Sequence, residues 1–191
     1  FDPDIDDMLY LGSGAGDSIQ ASSENTAVGY NALTNDTTGS QSTAFGAYAL
    51  QTQNYSTGTN SFNTAVGYAA GGTVTTGTLN TLIGSYAGNE MTTGSKNVIL
   101  GSYDGNGGGL DIRTSSNNIV LSDGDGNPRV VVNANGSVQC FIDATGDPTI
   151  RAKNTNTSYG STGIMSDITR TSSGGTYYHF AAYDREAGAY K

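Results

Sequence analysis

The densest candidate for chemistry is Asp123-Gly-Asp125-Gly-Asn127-Pro128, whose Asp-x-Asp-x-Asn spacing matches the opening of a calcium loop. Alternating oxygen ligands suit a hard cation, but such a loop also needs glycine at its sixth position and a bidentate glutamate at its twelfth. Pro128 and Ala134 stand there instead. The stretch therefore reads first as a turn, with Asp123, Asp125 and Asn127 kept as a weak calcium candidate. Asp104-Gly-Asn106 and Asp143…Asp147 are ordinary turn chemistry. The remaining acids, including the Asp4/Asp6/Asp7 cluster, give no pair placed to cleave a glycoside.

His179 is the only histidine, and no serine or cysteine nucleophile motif stands near it. A structural or interchain role is expected of it. One histidine and one cysteine cannot build a histidine-based metal centre within one chain, although three copies about an axis could bring three histidines together. Cys140 excludes an internal disulfide framework. In the alternating stretch Ser-Val-Gln-Cys-Phe-Ile it reads as a buried reduced thiol, or else as an interchain contact. Thr73-Val-Thr75 is the one Thr-x-Thr triplet among the Thr-Thr-Gly turns, so an ice-binding threonine array is not expected. No enzyme and no resident cofactor are expected.

Such residues must be carried by β-structure. Of 191 residues, 28 are glycine and 12 tyrosine, none is tryptophan, and only 13% are charged. A chain so poor in charge and so rich in small polar residues satisfies its backbone through ladders and turns. Its net charge of −9 comes with no lysine or arginine cluster, which excludes a phosphate-tracking surface and disfavours anionic membranes. No apolar run approaches the ~18–20 residues that span a bilayer, so membrane insertion is not expected. The chain opens on Phe-Asp-Pro-Asp without an initiator Met or a leader pattern, and a processed chain or part of a longer one is expected.

Alignment on one glycine reveals a repeat: Leu-Tyr-Leu-Gly12, Thr-Ala-Val-Gly29, Thr-Ala-Phe-Gly46, Thr-Ala-Val-Gly67, Thr-Leu-Ile-Gly84 and Val-Ile-Leu-Gly101. The intervals are 17, 17, 21, 17 and 17 residues, the long one carrying four extra residues around Gln53-Asn54-Tyr55-Ser56 in a connecting turn. A degenerate copy, Asn118-Ile-Val-Leu-Ser122, follows 21 residues after Gly101. A second landmark recurs at Thr37-Thr-Gly39, Ser56-Thr-Gly58, Thr75-Thr-Gly77 and Thr92-Thr-Gly94. Each unit has room for two short strands and two turns, with glycine at tight corners or close backbone approaches. A 17-residue unit cannot bury a face alone, so the units must stack as a β-solenoid. One face of the first strand carries Thr26, Val28 and Tyr30, then Thr43 and Phe45, then Thr64, Val66 and Tyr68, then Thr81 and Ile83, then Val98 and Leu100, while the other carries alanine, leucine or isoleucine beside the glycine. Neither face is polar, which predicts cover on both sides. A thin coil has one inside, so the second cover is expected from further copies around a threefold axis.

Asn25-Thr-Ala-Val-Gly-Tyr-Asn-Ala-Leu33 with Thr37-Thr-Gly, and Asn63-Thr-Ala-Val-Gly-Tyr-Ala-Ala-Gly71 with Thr75-Thr-Gly, resemble repeats of bacteriophage tail-fibre proteins. They are similar, more distantly, to the heads of trimeric autotransporter adhesins, which form trimeric left-handed β-rolls. The likeness covers about residues 8–122, and the 17-residue unit is longer than the usual adhesin-head repeat.

Beyond Leu121 the period stops. Residues 129–138 predict a hairpin turning at Asn135-Gly136. Further strands are expected over Val138–Ile142, Thr149–Ala152, Gly163–Arg170 and Thr176–Tyr183. Ile164-Met-Ser-Asp-Ile-Thr-Arg-Thr with Tyr177-Tyr-His-Phe-Ala-Ala-Tyr-Asp184 resembles the β domain that precedes a self-cleaving chaperone in phage fibres and endosialidases.

The expected fold is all-β: an N-terminal extension over 1–7, a trimeric parallel β-roll or β-solenoid shaft over 8–122, and a small β-rich knob or shaft extension over 123–191. The resemblance implies a structural virion fibre, extracellular, that attaches to a host. Its partners would be two further copies of itself, other virion proteins and a host-surface glycan or protein. The alternative is a bacterial trimeric surface adhesin or extracellular filament subunit.

Overall fold

A three-residue strand is too short to be stable alone, so the repeat must gain its stability by pairing each strand with its equivalent one coil away. The computed structural model, which describes residues 8–141 and the short strands Tyr183–Asp184 and Ala189–Tyr190, has this architecture. In chain order the strands are β1 (Leu9–Leu11), β2 (Thr26–Val28), β3 (Gly39–Ser40), β4 (Thr43–Phe45), β5 (Thr59–Asn60), β6 (Thr64–Val66), β7 (Thr81–Ile83), β8 (Val98–Leu100), β9 (Asn106–Gly107), β10 (Leu110–Asp111), β11 (Ile119–Ser122), β12 (Pro128–Val132) and β13 (Val138–Cys140). One nine-stranded sheet runs β1-β2-β4-β6-β7-β8-β11-β12-β13. Its first seven strands are parallel and in strict register: Tyr10, Ala27, Ala44, Ala65, Leu82, Ile99 and Val120 form one row. This is a β-solenoid of stacked coils, and no helix occurs among the described residues.

The corners are built from left-handed backbone. Each repeat glycine from Gly12 to Gly84 has φ between 129° and 138°, and a Cβ on Gly29 would meet the carbonyl carbon of Gly46 at 2.5 Å. Among the described residues, twelve non-glycine residues also have φ near +55°, and they fall at three positions of the coil. Five residues before the glycine stand Glu24, Gln41, Phe62, Leu79 and Lys96, with Asn117 their equivalent in the last coil. Two after it stand Asn31, Tyr48, Ala69 and Tyr86, and four after it Leu33 and Leu50. A left-handed L-residue costs roughly 1–2 kcal/mol. The backbone bonds between coils hold it there, for example from Tyr48 N to the Tyr30 carbonyl and from Leu50 N to the Ala70 carbonyl.

The expected second strand is largely absent. Only β3 and β5 pair, in parallel, and the Thr-Thr-Gly segments at 75–77 and 92–94 are bends. Their glycines serve close approach: a Cβ on Gly94 would meet the Ser115 carbonyl oxygen at 2.5 Å.

The core matches sizes between strand and corner in most coils, while at the small pair Ala65 and Gly71 the space is filled by Leu50 and Leu82 of the neighbouring coils. Where the inner strand residue is Ala27 or Ala44, the corner four residues past the glycine supplies Leu33 or Leu50. Where the strand supplies Tyr10 or Leu82, that corner is Gly16 or Gly88, and a Cβ on either would strike the large side chain at 2.9 Å. Interiors packed to crystal-like density leave no room for two large residues in one layer.

Both four-residue insertions are absorbed locally. The last coil spends its extra length on the antiparallel pair β9–β10, with Tyr103 buried beneath it and donating to the Leu110 carbonyl at 2.7 Å. The insertion at 53–56 does not simply bulge outward, because Gln53 and Tyr55 turn into the core.

After β11 the chain reverses. β12 and β13 add antiparallel to the same sheet, the second hairpin turning at Asn135-Gly136 as expected. Cys140 is exposed, contrary to its expected burial, because β13 is the last strand of the sheet and all three of its residues are exposed. The chain divides into two compact units, Phe1–Asp143 and Ala144–Lys191. In the second, Tyr183–Asp184 pairs antiparallel with Ala189–Tyr190. The strands expected at Thr149–Ala152 and Gly163–Arg170, the Asp4/Asp6/Asp7 cluster and His179 lie outside the described residues.

Candidate functional site

Strict parallel register converts a sequence pattern into columns. Side chains alternate across a strand, so the residue on either side of each buried inner position points outward in every coil. One outer column reads Leu11, Val28, Phe45, Val66, Ile83, Leu100 and Leu121. The other reads Leu9, Thr26, Thr43, Thr64, Thr81, Val98 and Ile119. The inner row from Ala27 to Val120 is fully buried, whereas the first outer column is exposed by 36% at Val66 and by 64% at Leu11. The sequence reading that both faces are apolar holds; within one chain only the inner face is covered. The threonines form a column one residue wide, not the paired Thr-x-Thr array that ice binding needs.

Beside this face runs a ladder of tyrosines. Tyr30 and Tyr68 follow the repeat glycine directly, Tyr48 and Tyr86 stand one residue later, and the four rings interleave edge to face. Their centroids are 5.3, 5.6 and 5.3 Å apart, within the favoured range for aromatic pairs. Tyr48, Tyr68 and Tyr86 line an open groove of about 290 Å³ with Gln51 and Asn89. Thr73 borders both this groove and a neighbouring one of about 510 Å³ that holds Glu90, Asp111 and Arg113. No family model, curated protein or solved structure matches the chain.

A polar ladder inside the coil holds both surfaces in place. The buried Asn25, Asn63, Asn80 and Asn97 each accept a hydrogen bond on Oδ1 from the backbone of the next coil, at 2.8–2.9 Å. Each Nδ2 donates to a carbonyl of the turn across the coil: Gly39, Gly77, Gly94 and Ser115 respectively. One side chain thus pins the strand, its own turn and the next coil. Ser42 interrupts this column and is too short to cross. Gln53 takes over, donating from Nε2 to Ser42 Oγ at 2.9 Å and to Asp36 Oδ2 at 2.7 Å while its Oε1 accepts from Asn63. Asp36 Oδ1 accepts the Gly39 N–H at 2.8 Å. Burial raises the Asp36 pKa above the ordinary carboxylate range against these bonds. Burial, then the charge of Asp36, also pushes the Tyr55 hydroxyl up.

Asp123, Asp125 and Asn127, the weak calcium candidate, lie in the turn between β11 and β12. Asp123 accepts from the Asn127 backbone at 2.9 Å and from Arg129 at 2.8 and 2.5 Å. The Asn127 N–H first, then the guanidinium, hold its carboxyl at about 2. These bonds shape the β11–β12 turn. Among the described residues, no cluster of three His, Cys, Asp or Glu side chains could hold a metal. No helix among them is long and apolar enough to cross a membrane. The predicted Gly12, Gly29, Gly46, Gly67, Gly84 and Gly101 align in one column, each against the backbone of the next coil. Sequence reasoning missed the asparagine column, although asparagine directly precedes the parallel strand in five of the coils, at Asn25, Asn63, Asn80, Asn97 and Asn118.

Proposed function

We propose that this chain is a length of a homotrimeric bacteriophage fibre, a tail fibre or similar virion appendage, whose shaft carries the particle to a host surface. The observation that supports it is the outer apolar column. Seven side chains from Leu11 to Leu121 stand in line on a sheet whose seven parallel strands at ~4.8 Å spacing extend about 30 Å. Contiguous exposed apolar surface on that scale marks an interaction site. Each half-exposed side chain contributes roughly 1 kcal/mol on burial, about half the ~1.5–3 kcal/mol of a full transfer. Threefold closure covers this column on every chain at once, and it extends naturally along a shaft because every coil repeats the same contact.

A further feature fits a mechanical element: backbone hydrogen bonds join each coil to the next along the stack. The phage assignment comes from the resemblance of the Asn-Thr-Ala-Val-Gly-Tyr units to tail-fibre repeats. Antibody raised against the purified chain, applied to native particles and cells under the electron microscope, tests it. Label on an appendage leaving a virion is expected; label confined to a bacterial surface would replace the phage reading with the adhesin one.

A further inference from the structure

The groove beside the tyrosine ladder is not consumed by the coil's own packing. Tyr68 and Tyr86 keep 47% of their surface while stacked on their neighbours, so the ladder is rigid and still presents ring area. Rigid aromatic area at low entropy cost suits recognition of faces that carry C–H groups. Gln51 and Asn89 lie at its edge with amides that can both donate and accept. Neighbouring tyrosines belong to successive coils, so Tyr48 and Tyr86 stand two strand spacings apart, about 10 Å. That is comparable to one disaccharide unit of an extended glycan. The charge at the far end selects further. Glu90 and Asp111 face the adjoining groove, and the Arg113 guanidinium is already engaged by Asp111 at 2.8 and 3.0 Å. A chain of net charge −9 with no unengaged cation in this groove repels uronic or sialic acids.

We propose that the groove lined by Tyr48, Tyr68, Tyr86, Gln51 and Asn89 binds a neutral oligosaccharide, its pyranose faces on the tyrosine rings and its hydroxyls on the two amides. The inference rests on reading the fibre as one that meets a host surface. The chain has no tryptophan to mask tyrosine emission, and four of its 12 tyrosines form the ladder, so the Tyr68→Ala variant assigns any fluorescence change to the groove. The experiment titrates the purified full chain with tetramers of glucose, galactose, mannose and N-acetylglucosamine, and with oligogalacturonate as the anionic control. Light scattering follows the same samples. At least one neutral tetramer is expected to change the fluorescence saturably, and oligogalacturonate is not. Tyr68→Ala and the double variant Gln51→Ala/Asn89→Ala should each weaken that binding about tenfold or more without changing the assembly mass. Gln51→Ala alone, at the groove edge, keeps the test open should the tyrosine variant fail to fold. An assembled trimer indifferent to all four neutral sugars overturns the groove and leaves the fibre standing. A monomer that binds them overturns the trimer and leaves the groove. Binding unchanged by every variant, or a mass that drops with Tyr68→Ala, also overturns the proposal.

Discussion

Asp36 is an ionisable group in a column of the interior that turns apolar only beyond Gln53: seven residues after successive repeat glycines come Asp36, Gln53, Val74 and Met91, all buried. Its two oxygens accept from Gly39 N–H and Gln53 Nε2, so an amide in its place turns one acceptor toward a donor. Asp36→Asn should therefore destabilise the coil by about 1–3 kcal/mol, the cost of an unsatisfied buried group. The pH dependence has a definite sign. The folded-state pKa is raised by burial, so ionisation favours the unfolded chain, and this contribution is fully present below the ordinary carboxylate value and lost as pH rises through the raised one. In denaturant titrations between pH 3 and 8, the stability gap between wild type and Asp36→Asn should widen as pH falls; a gap that narrows contradicts the assignment. Glycine positions separate as cleanly. Gly67, with φ +137° and the Gly84 carbonyl carbon 2.6 Å from an added Cβ, should lose more than about 4 kcal/mol as Gly67→Ala. Gly58 meets nothing within 4 Å, and Gly58→Ala should change stability by no more than about 1 kcal/mol. Thermal melts of both variants check the pair. The importance of Gly67 was legible in its spacing. That of Asp36 was not, because Asn-Asp-Thr-Thr-Gly looks like any exposed turn until register places its carboxylate opposite Gln53.

At the scale of the element, each coil is a three-residue strand joined by corners that use left-handed residues at fixed positions. Apart from Asn31 and Asn117, those positions hold Glu, Gln, Phe, Leu, Lys, Tyr and Ala, none of which announces a positive φ. Period and glycines were therefore enough to locate β2, β4, β6, β7, β8 and β11, but not to foresee that the Thr-Thr-Gly side would bend instead of pairing. The second strand was expected because two landmarks per repeat suggest two strands. Its residues instead spend their hydrogen bonds on the asparagine column and on threonine contacts such as Thr75 Oγ1 to the Thr92 carbonyl. The size exchange between Leu33 and Gly88 corners is written in the sequence as well. It becomes readable only when strand and corner are known to share a layer. Cys140 shows the reverse error, since alternation marks a strand without saying whether anything packs over it.

For the whole molecule the decisive fact is an asymmetry between two apolar faces. One is sealed by the chain's own corners; the other lies open over seven coils. Sequence alone predicted two covered faces and could not say which would be left uncovered by a single coil. The tyrosine ladder was not foreseen either, because Tyr30 and Tyr48 occupy different positions in their repeats and meet only through the stacking of coils. Charge placed in the open face should oppose assembly directly: Val66→Lys with Ile83→Lys leaves the inner row untouched and puts six cations around the proposed axis. The most direct measurement is the mass of the purified chain by multi-angle light scattering at micromolar concentration. Three times the 19.6 kDa subunit is expected for the wild type, with the double lysine variant falling to smaller species or aggregating. A wild-type chain that stays folded at 19.6 kDa would contradict the trimeric fibre.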